Sequence, residues 1–289
     1  MPAPALLIEG DCLDVLPRIP DRSVNCVLCD LPYGTTQNHW DEVIPFDRLW
    51  REYRRILAPG GAVLLSGQGP FTGSLIVSNR DWFKYKIVWV KTNAKNFLNA
   101  KKQPLRAHED ICVFYPSQPT YNPQMGVGEP YRAASRGQSG SYGGMTDNFV
   151  TESDGERYPL DVVVFAGAKE EGGVGSVYHP TQKPINLGRY LVRTYTNPGD
   201  VVLDNCFGSG SFLVAAAVEG RAALGIEKND GALIQKDKPI DLVGMAAARL
   251  DVTLRKTKQA CSVVRAGEHG DMLDYRLGVF FGEASRHAA

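Results

Sequence analysis

The segment between residues 201 and 227 constrains the fold most, because it predicts a strand, a glycine turn, a helix and a second strand. The apolar residues 201–203 lead into Phe207-Gly208-Ser209-Gly210, and residues 212–219 have the apolar character of a buried helix. The second strand ends at Glu227, 17 residues after Gly210, close to the place of an acid that binds ribose hydroxyls in a nucleotide-binding βαβ unit. Leu213 replaces the third glycine of the dinucleotide fingerprint, so a pyrophosphate loop is the weaker interpretation. A purely structural turn is the alternative.

Apolar runs alternate with helical patterns along the rest of the chain. Strands are predicted at 6–8, 24–29, 62–65, 85–90, 111–115, 161–165 and 222–226, and helices at 13–16, 46–57, 185–195 and 240–250. Strands that alternate with helices predict an α/β fold with a doubly wound, mainly parallel, twisted sheet covered on both faces. Apolar residues make up 43% of the chain and charged residues 22%, which excludes a disordered chain or a coiled coil.

The tetrapeptide Asp30-Leu31-Pro32-Tyr33 follows a predicted strand and offers a carboxylate, a main-chain carbonyl and an aromatic ring in a small space. Pro32 favours extended geometry at Leu31 and so fixes its carbonyl. The exocyclic amine of a nucleobase needs such acceptors before it can attack an electrophile, because its lone pair is delocalised into the ring. The ring of Tyr33 can stack on the base. A strand that ends in a plain proline turn is the alternative.

Together, the tetrapeptide and the glycine turn resemble the S-adenosylmethionine-dependent amino-methyltransferases of DNA. The tetrapeptide comes first along the chain, and this order resembles the permuted β class of that family. Three further segments are similar to family motifs: Gly10-Asp11-Cys12, residues 107–111 and residues 179–184. The resemblance covers most of residues 6–250 and implies a Rossmann-like methyltransferase fold with permuted motif order and S-adenosylmethionine as the cofactor.

The resemblance also implies site residues, and it requires no metal. The catalytic set is Asp30, Leu31, Pro32 and Tyr33. The cofactor-binding set is Asp11, Cys12, Asp30, His179, Thr181, Gln182, Lys183, Asp204, Phe207, Gly208, Ser209, Gly210, Ser211, Glu227 and Lys228. Glu227 is expected at the ribose hydroxyls, Asp11 at the cofactor adenine, and residues 181–183 at the carboxylate end. A plain turn at Asp11 and a local hydrogen bond at His179 are the alternatives.

Position 31 departs from the family, which usually has proline there. Leu31 keeps the backbone carbonyl, so activity is expected to survive. Aspartate at position 30 is commoner in enzymes that methylate the adenine amine, and serine in those that methylate the cytosine amine. The resemblance therefore favours site-specific adenine-N6 methylation of duplex DNA by base flipping. Methylation of cytosine-N4, of RNA bases or of protein glutamine amides, a non-catalytic nucleic-acid-binding module and a nicotinamide-dependent oxidoreductase are the alternatives.

Contact with DNA needs a local basic surface, since the formal net charge of the chain is zero. Basic residues cluster between Lys84 and Arg106, interleaved with Tyr85, Trp89 and Phe97. The proline- and glycine-rich residues 116–178 are too many for a structureless loop and match the location of the family's target-recognition region. The expected DNA contacts are Lys91, Lys95, Lys101, Lys102, Arg106, Arg132 and Arg136. A solvated face and a surface insertion are the alternatives.

The chain is thus predicted to contain a catalytic half (1–115), an inserted target-recognition region (116–178), a cofactor-binding half (179–250) and a C-terminal extension of unknown role (251–289). No apolar run is long enough to cross a bilayer and the N-terminus has no basic lead, which predicts a cytoplasmic protein. Cys26 and Cys29 should point to opposite faces of one strand and so cannot easily share a metal ion. The resemblance is compatible with a homodimer and with a cognate restriction endonuclease as a partner.

Overall fold

In a computed structural model, the chain forms an α/β fold around one nine-stranded sheet. The structure describes residues 3–36, 38, 41–95, 97–135, 149–171, 181–229, 231, 234–235, 238–256, 261–268 and 271–288. The strands are β1 (Ala3–Glu9), β2 (Val24–Cys29), β3 (Leu57–Gly67), β4 (Phe83–Lys95), β5 (Arg106–Phe114), β6 (Gly126–Val127), β7 (Tyr131–Ser135), β8 (Phe149–Ser153), β9 (Glu156–Arg157), β10 (Val162–Phe165), β11 (Val201–Asp204), β12 (Ala222–Glu227), β13 (Ile234–Gln235), β14 (Lys238–Pro239) and β15 (Cys261–Gly267). The helices are α1 (Cys12–Val15), α2 (Phe46–Ile56), α3 (Pro70–Ser78), α4 (Ile185–Tyr195), α5 (Ser211–Val218), α6 (Leu242–Lys256) and α7 (Asp271–Ala288), with 3-10 turns at Leu16–Arg18 and Phe97–Asn99.

The main sheet is mostly parallel, with the strand order β10-β4-β5-β3-β2-β11-β12-β1-β15. β5 runs antiparallel to β3 and β4, and the other neighbouring pairs are parallel. The predicted fold class is confirmed. Helices join the parallel strands and cover the sheet, which explains why the central strands are apolar on both faces.

Each face of the sheet buries its own hydrophobic core. Ile8 packs in one cluster and Leu7 in the other, as the alternation of side chains along a strand requires. Cys29 lies in the first cluster and Cys26 in the second. The prediction that these two thiols face opposite sides of the sheet is therefore confirmed.

The helices follow the apolar periodicity with small differences at their ends. α4 has the predicted bounds, and α2 ends one residue before the predicted end because Leu57 is already extended and enters β3. α6 was predicted at 240–250 but runs to Lys256. Its last turn is stabilised by the buried side chain of Leu254 and by an ion pair between Arg255 and Asp251 at 3.0 Å.

Two strands that carry predicted motifs are neighbours at the centre of the sheet. β2 and β11 are parallel, with Leu203 opposite Val27. From β2 the chain continues to β3 on one side, and from β11 it continues to β12 on the other side. Such a reversal of strand order is the place where open α/β sheets bind ligands, at the carboxyl ends of the strands.

The chain divides into two compact units, one of Met1–Asn122 with Asp161–Ala289 and one of Pro123–Leu160. The smaller unit contains two antiparallel pairs of short strands, β6 with β9 and β7 with β8. The predicted insertion, residues 116–178, includes this unit with wider bounds. The predicted division into domains stays a prediction.

The C-terminal residues, whose role the sequence left open, complete the main sheet. β15 pairs in parallel with β1 along its whole length, and α7 packs against both strands. Arg18 holds α7 through an ion pair with Asp274 at 2.8 Å. None of the helices within the described ranges is long and apolar enough to cross a membrane.

Candidate active site

Asp30 follows β2 and belongs to a buried group of four charged side chains, here called the charge cluster (Asp30, Lys91, Glu109 and Lys183). Its Oδ1 accepts a hydrogen bond from the Tyr33 hydroxyl at 2.7 Å, and its Oδ2 accepts one from Lys183 Nζ at 2.5 Å. Lys183 Nζ also lies 3.2 Å from Glu109 Oε2, and Lys91 pairs with Glu109 Oε1. The Lys183 side chain is 8% exposed and that of Glu109 is 12% exposed. Two carboxylates and two ammonium groups thus neutralise each other out of water.

The cluster shifts the pKa values of its members in different directions. Burial raises the pKa of Asp30, and the nearby ammonium of Lys183 opposes part of the rise. Burial also acts to raise the pKa of Glu109, but Lys183 and Lys91 outweigh it and hold that pKa below its usual value. Burial alone would lower the pKa of Lys183, yet the two carboxylates raise it. Lys183 therefore stays charged, and Asp30 is the more basic of the two carboxylates.

The Tyr33 ring is fixed in place by its neighbours. It stacks on Phe71 of α3 with 4.7 Å between ring centroids and an interplanar angle of 27°. Lys183 Nζ lies 5.7 Å from the centroid of the Tyr33 ring. Burial raises the pKa of Tyr33 well above its usual value, so its hydroxyl remains a donor to Asp30. The aromatic group is therefore oriented by Phe71 on one side and by Asp30 at its tip.

Asp41 organises the loop that follows the tetrapeptide. Its carboxylate accepts hydrogen bonds from the backbone N–H groups of Tyr33, Gly34, Thr35 and Thr36, at 2.7, 2.9, 2.9 and 2.7 Å. Burial would raise the pKa of Asp41, but these bonds outweigh it and hold the pKa below its usual value. Asp41 was not predicted from the sequence, because a lone acid eight residues after Tyr33 carries no local signal.

The glycine turn (residues 207–211) follows β11 at the neighbouring strand end. Gly208 and Gly210 have φ values of +50° and +75°, in the left-handed region that favours glycine. A Cβ atom on Gly210 would lie 2.9 Å from the Cβ of Ala246 in α6. The N–H of Gly208 donates to Glu227 Oε2 at 2.6 Å. The turn is therefore close to its neighbours and tied to the end of β12.

Two further contacts explain the form of the turn. Arg249 of α6 donates through Nη1 to the Ser209 carbonyl and, at 3.3 Å, to Ser211 Oγ. Arg249 was not predicted from the sequence either, because it lies 40 residues along the chain from Ser209. A Cβ atom on Gly225 would approach Leu213 Cδ1 to 2.4 Å. Leu213 therefore packs against the adjacent strand, in a position where a dinucleotide fingerprint would have glycine.

Two partly exposed carboxylates lie at the next strand ends. Glu227 ends β12, and Asp11 follows β1, its parallel neighbour. Asp11 Oδ1 caps α1 by accepting from Leu13 N at 2.8 Å, and Lys228 Nζ lies 3.7 Å from Asp11 Oδ2. Glu268, after β15, accepts from Asp11 N at 2.7 Å. The sequence did not indicate Glu268, because it reaches Asp11 only through the pairing of β15 with β1.

This donor and acceptor set fits a nucleoside cofactor. Glu227 and Asp11 offer acceptors for ribose hydroxyls and for an amino group, and both are accessible to solvent. Gly208 and Gly210 leave main-chain atoms uncovered by side chains beside them. The charge cluster lies at the end of β2, the strand next to the turn.

The other predicted site residues differ in burial. In the catalytic set, Leu31 is buried and Pro32 is half-buried. In the cofactor-binding set, Gln182 is half-buried and Thr181 and Lys228 are exposed, whereas the following residues are buried: Cys12, Asp204, Phe207, Ser209 and Ser211. Burial raises the pKa of Asp204 to about 8. His179 lies outside the described residues. Lys183, expected at the carboxylate end of the cofactor, joins the charge cluster.

The residues predicted to contact DNA differ from one another in exposure and in their partners. Lys91 is a half-buried partner of Glu109, whereas Lys101 and Lys102 are exposed. Arg106 Nη1 donates to Gln68 Oε1 at 2.6 Å. In the smaller unit, Arg132 pairs with Glu152 at 2.8 Å. Arg136 and the side chain of Lys95 lie outside the described residues.

Comparison with known proteins identifies the family. The DNA methylase family of N6 and N4 enzymes matches residues 24–235. The type II methyltransferase M.HinfI of Haemophilus influenzae is 25% identical over an alignment of 250 residues, and the match covers 77% of this chain. It covers 64% of M.HinfI, so this chain spans less than two thirds of that relative's length. The structure of the M1.HpyAVI–SAM complex has a TM-score of 0.56 at 18% identity, covering 86% of this chain and 99% of that one. The PvuII DNA methyltransferase (cytosine-N4-specific) has a TM-score of 0.56 at 15% identity, covering 91% and 96%.

The two solved structures support the fold, and the family match supports the assignment because it includes both the tetrapeptide and the glycine turn. The expected cofactor, S-adenosylmethionine, is confirmed with the family. This chain belongs to the DNA methylases, the S-adenosylmethionine-dependent amino-methyltransferases of adenine-N6 or cytosine-N4 type.

Proposed function

We propose that this chain methylates the N6 amine of adenine in duplex DNA. One observation carries the proposal: the tetrapeptide and the glycine turn emerge side by side, because Val27 of β2 lies opposite Leu203 of β11. Asp30 lies three residues after Val27, and Cys206 lies three residues after Leu203, so both follow the ends of their strands. An amine held at Asp30 and a methyl donor held at the turn would therefore meet at the carboxyl ends of these two central strands.

Asp30 has the capacity to accept from the target amine. A carboxylate has about four lone-pair sites, and the Tyr33 hydroxyl and Lys183 account for two donors. The proposed roles are acceptance of one amine hydrogen by Asp30 and of the other by the Leu31 carbonyl. Burial raises the pKa of Asp30, whereas the pKa of Glu109 lies below its usual value. Asp30 is therefore a better base than Glu109 for the proton that the amine loses.

Lys183 and Glu109 act as positioning residues in this proposal. Lys183 holds Asp30 Oδ2, and Glu109 holds Lys183 from the other side, with Lys91 completing the pairing. A carboxylate fixed in advance needs no reorganisation when the amine arrives, which is how enzymes gain most from electrostatic contacts.

The cofactor-binding residues would place the donor. Bound S-adenosylmethionine supplies a methyl carbon whose bond to the positive sulfur breaks as the bond to the amine nitrogen forms. We propose that Glu227 accepts from the ribose hydroxyls and Asp11 from the adenine amino group. Gly208 and Gly210 would approach by main chain, with Thr181 and Gln182 near the carboxylate end. Positioning for in-line attack supplies much of the acceleration.

The target base has to leave the duplex before it can reach Asp30. Rotation out of the stack costs about a few kcal/mol, and stacking on an aromatic ring returns about 1–3 kcal/mol. Tyr33 is the proposed stacking partner, and Phe71 already holds its ring. Residues 116–178 are the proposed target-recognition region, with Arg132 among its DNA contacts. A homodimer, a cognate restriction endonuclease and a cytoplasmic location belong to the same proposal.

Cytosine-N4 methylation is the second candidate. The PvuII methyltransferase, a cytosine-N4-specific enzyme, matches this fold as well as M1.HpyAVI does. Asp30 could accept from either amine, and the aspartate at position 30 favours adenine only through the family resemblance. Methylation of RNA bases follows as a weaker alternative.

The test is methyl transfer from radiolabelled S-adenosylmethionine to plasmid DNA, followed by digestion to nucleosides. Labelled N6-methyladenine is expected, and N4-methylcytosine would replace the first candidate with the second. Asp30→Ala should lower transfer by about 100-fold or more while calorimetry shows unchanged cofactor affinity. Label in RNA or in peptides but not in DNA would contradict the proposal.

A further inference from the structure

We propose that Phe97 and Leu98 form a wedge that enters duplex DNA beside the target base. This inference rests on the proposed function, because a wedge is needed only where a base leaves the stack. The two side chains lie on the 3-10 turn between β4 and β5 and are 75% and 83% exposed, and Leu105 is exposed on the same connection. Adjacent large apolar groups at a loop tip suggest a contact surface.

Phe97 and Leu98 lie at the tip of the hairpin formed by β4 and β5, which also carries Lys91 and Glu109 of the charge cluster. Trp89 of β4 pairs with Glu109 of β5, and Lys91 binds that carboxylate. Phe97 follows Lys91 by six positions, so the tip of the hairpin lies at most about 20 Å from Lys91. This length corresponds to about six base-pair steps of 3.4 Å. A duplex that delivers a base to Asp30 therefore lies within reach of the tip.

The charge around the tip fits a polyanion. Residues 91–107 contain five lysines and arginines and no acidic residue, in a chain whose formal net charge is zero. Lys101 and Lys102 are exposed directly after the turn. The carboxylate of Glu170 also contacts this segment, since Asn93 Nδ2 donates to its Oε1 at 3.2 Å. Apolar side chains between phosphate-binding cations are the arrangement of proteins that insert side chains between base steps.

Backbone hydrogen bonds make the tip an ordered turn. Ala100 N donates to the Phe97 carbonyl at 3.1 Å, and Lys102 N and Gln103 N donate to the Asn99 carbonyl at 2.8 and 3.0 Å. A wedge has to be stiff, because it replaces the stacking that the extruded base gives up. The hairpin would thus support extrusion at its tip and hold the catalytic carboxylate at its base.

The experiment compares the wild type with Phe97→Ala/Leu98→Ala on synthetic duplexes that carry the sequence methylated in plasmid DNA. In one duplex the target base is correctly paired, and in the other it is mismatched, which makes extrusion easier. The variant should lose about tenfold or more in kcat/KM on the paired duplex and stay within about twofold of wild type on the mismatched one. A fluorescent base analogue at the target position should report less extrusion with the variant.

The matched control is Met272→Ala/Tyr275→Ala. These side chains are 61% and 63% exposed on α7, which packs at the opposite edge of the sheet. The control should keep wild-type rates on both duplexes. Lys101→Gln/Lys102→Gln should instead weaken binding to both duplexes alike and reduce the salt dependence of log Kd by about two.

The outcomes separate this inference from the proposed function. A wild type that transfers no methyl group to DNA would overturn both. An active wild type whose Phe97→Ala/Leu98→Ala variant behaves normally on the paired duplex would overturn the wedge alone. Sedimentation velocity adds a further outcome. If the wild type is a dimer, and the variant is a monomer with normal activity, Phe97 and Leu98 contact another subunit and the wedge proposal is wrong.

Discussion

The charge cluster and the glycine turn lie at neighbouring strand ends, but they are built in opposite ways. The charge cluster is made by side chains from distant segments, since Lys183 and Asp30 are 153 residues apart in the sequence. The glycine turn is made largely by local backbone, with Gly208 tied to Glu227 only 19 residues away. The first therefore depends on charge pairing in a buried place, and the second on backbone conformation.

This difference predicts different consequences of substitution. Removal of one charge from a buried pair leaves its partner without compensation, so it should affect stability and catalysis together. A change at the turn should alter the space or the acceptors offered to the cofactor and leave the charge cluster intact. Four experiments test this contrast, in order of decreasing effect.

Lys183→Met should have the largest effect, since it leaves the carboxylates of Asp30 and Glu109 buried without their shared ammonium. We expect a loss of about 3–5 kcal/mol in the free energy of unfolding, measured by urea denaturation at pH 7, and loss of methyl transfer. The matched control is Lys228→Met, because Lys228 is exposed beside Asp11; it should change stability by less than about 0.5 kcal/mol. A Lys183→Met variant as stable as wild type would show that the cluster is not coupled.

Glu227→Ala should weaken cofactor binding by about 10- to 100-fold, because hydrogen bonds to a charged acceptor contribute about 1.5–3 kcal/mol. Isothermal titration calorimetry with S-adenosylmethionine measures the affinity. Asp274→Asn, at an exposed site on α7, should bind the cofactor like wild type. Equal affinities of wild type and Glu227→Ala would remove Glu227 from the ribose contact.

Gly210→Ala should lower the free energy of unfolding by about 1–2 kcal/mol. The residue has a φ of +75°, and the new Cβ would lie 2.9 Å from Ala246 Cβ. Gly73→Ala is the matched control, since Gly73 lies in α3 and has no atom within 4 Å of the added methyl position. The control should be neutral or more stable than wild type. Thermal unfolding of both variants decides, and equal losses would contradict the role of backbone geometry.

Glu109→Gln should shift the acidic limb of the pH–rate profile to lower pH. In the proposed function Asp30 has to be ionised to accept from the amine, so activity should be present above its folded pKa and should be lost as the pH falls through it. Burial raises that pKa, and the negative charge of Glu109 raises it further. Without that charge the pKa of Asp30 should fall. Single-turnover methylation across the pH range measures the limb; Asp274→Asn, at an exposed site on α7, should leave it unmoved.

Local patterns predicted much of the fold. The apolar periodicity of residues 185–195 predicted α4 with its observed bounds, and the strand before Asp30 follows from its apolar residues. β15 and α7 were not predicted, because β15 becomes a strand through its pairing with β1, more than 250 residues away. A short segment has no signal of its own when its partner lies at the other end of the chain.

The sequence by itself determined the order of the motifs, the strand–turn–helix units that carry them, and the chemical groups that each contributes. Only the tertiary structure decided that Lys183 and Glu109 join Asp30, and that Asp41 holds the tetrapeptide loop. It also decided that Arg249 contacts the glycine turn and that Glu268 contacts Asp11. The physical reason is the separation along the chain over which each kind of interaction acts. Backbone conformation depends on neighbours a few residues away, whereas the energy of a buried charge depends on whichever partners the fold brings within a few ångströms.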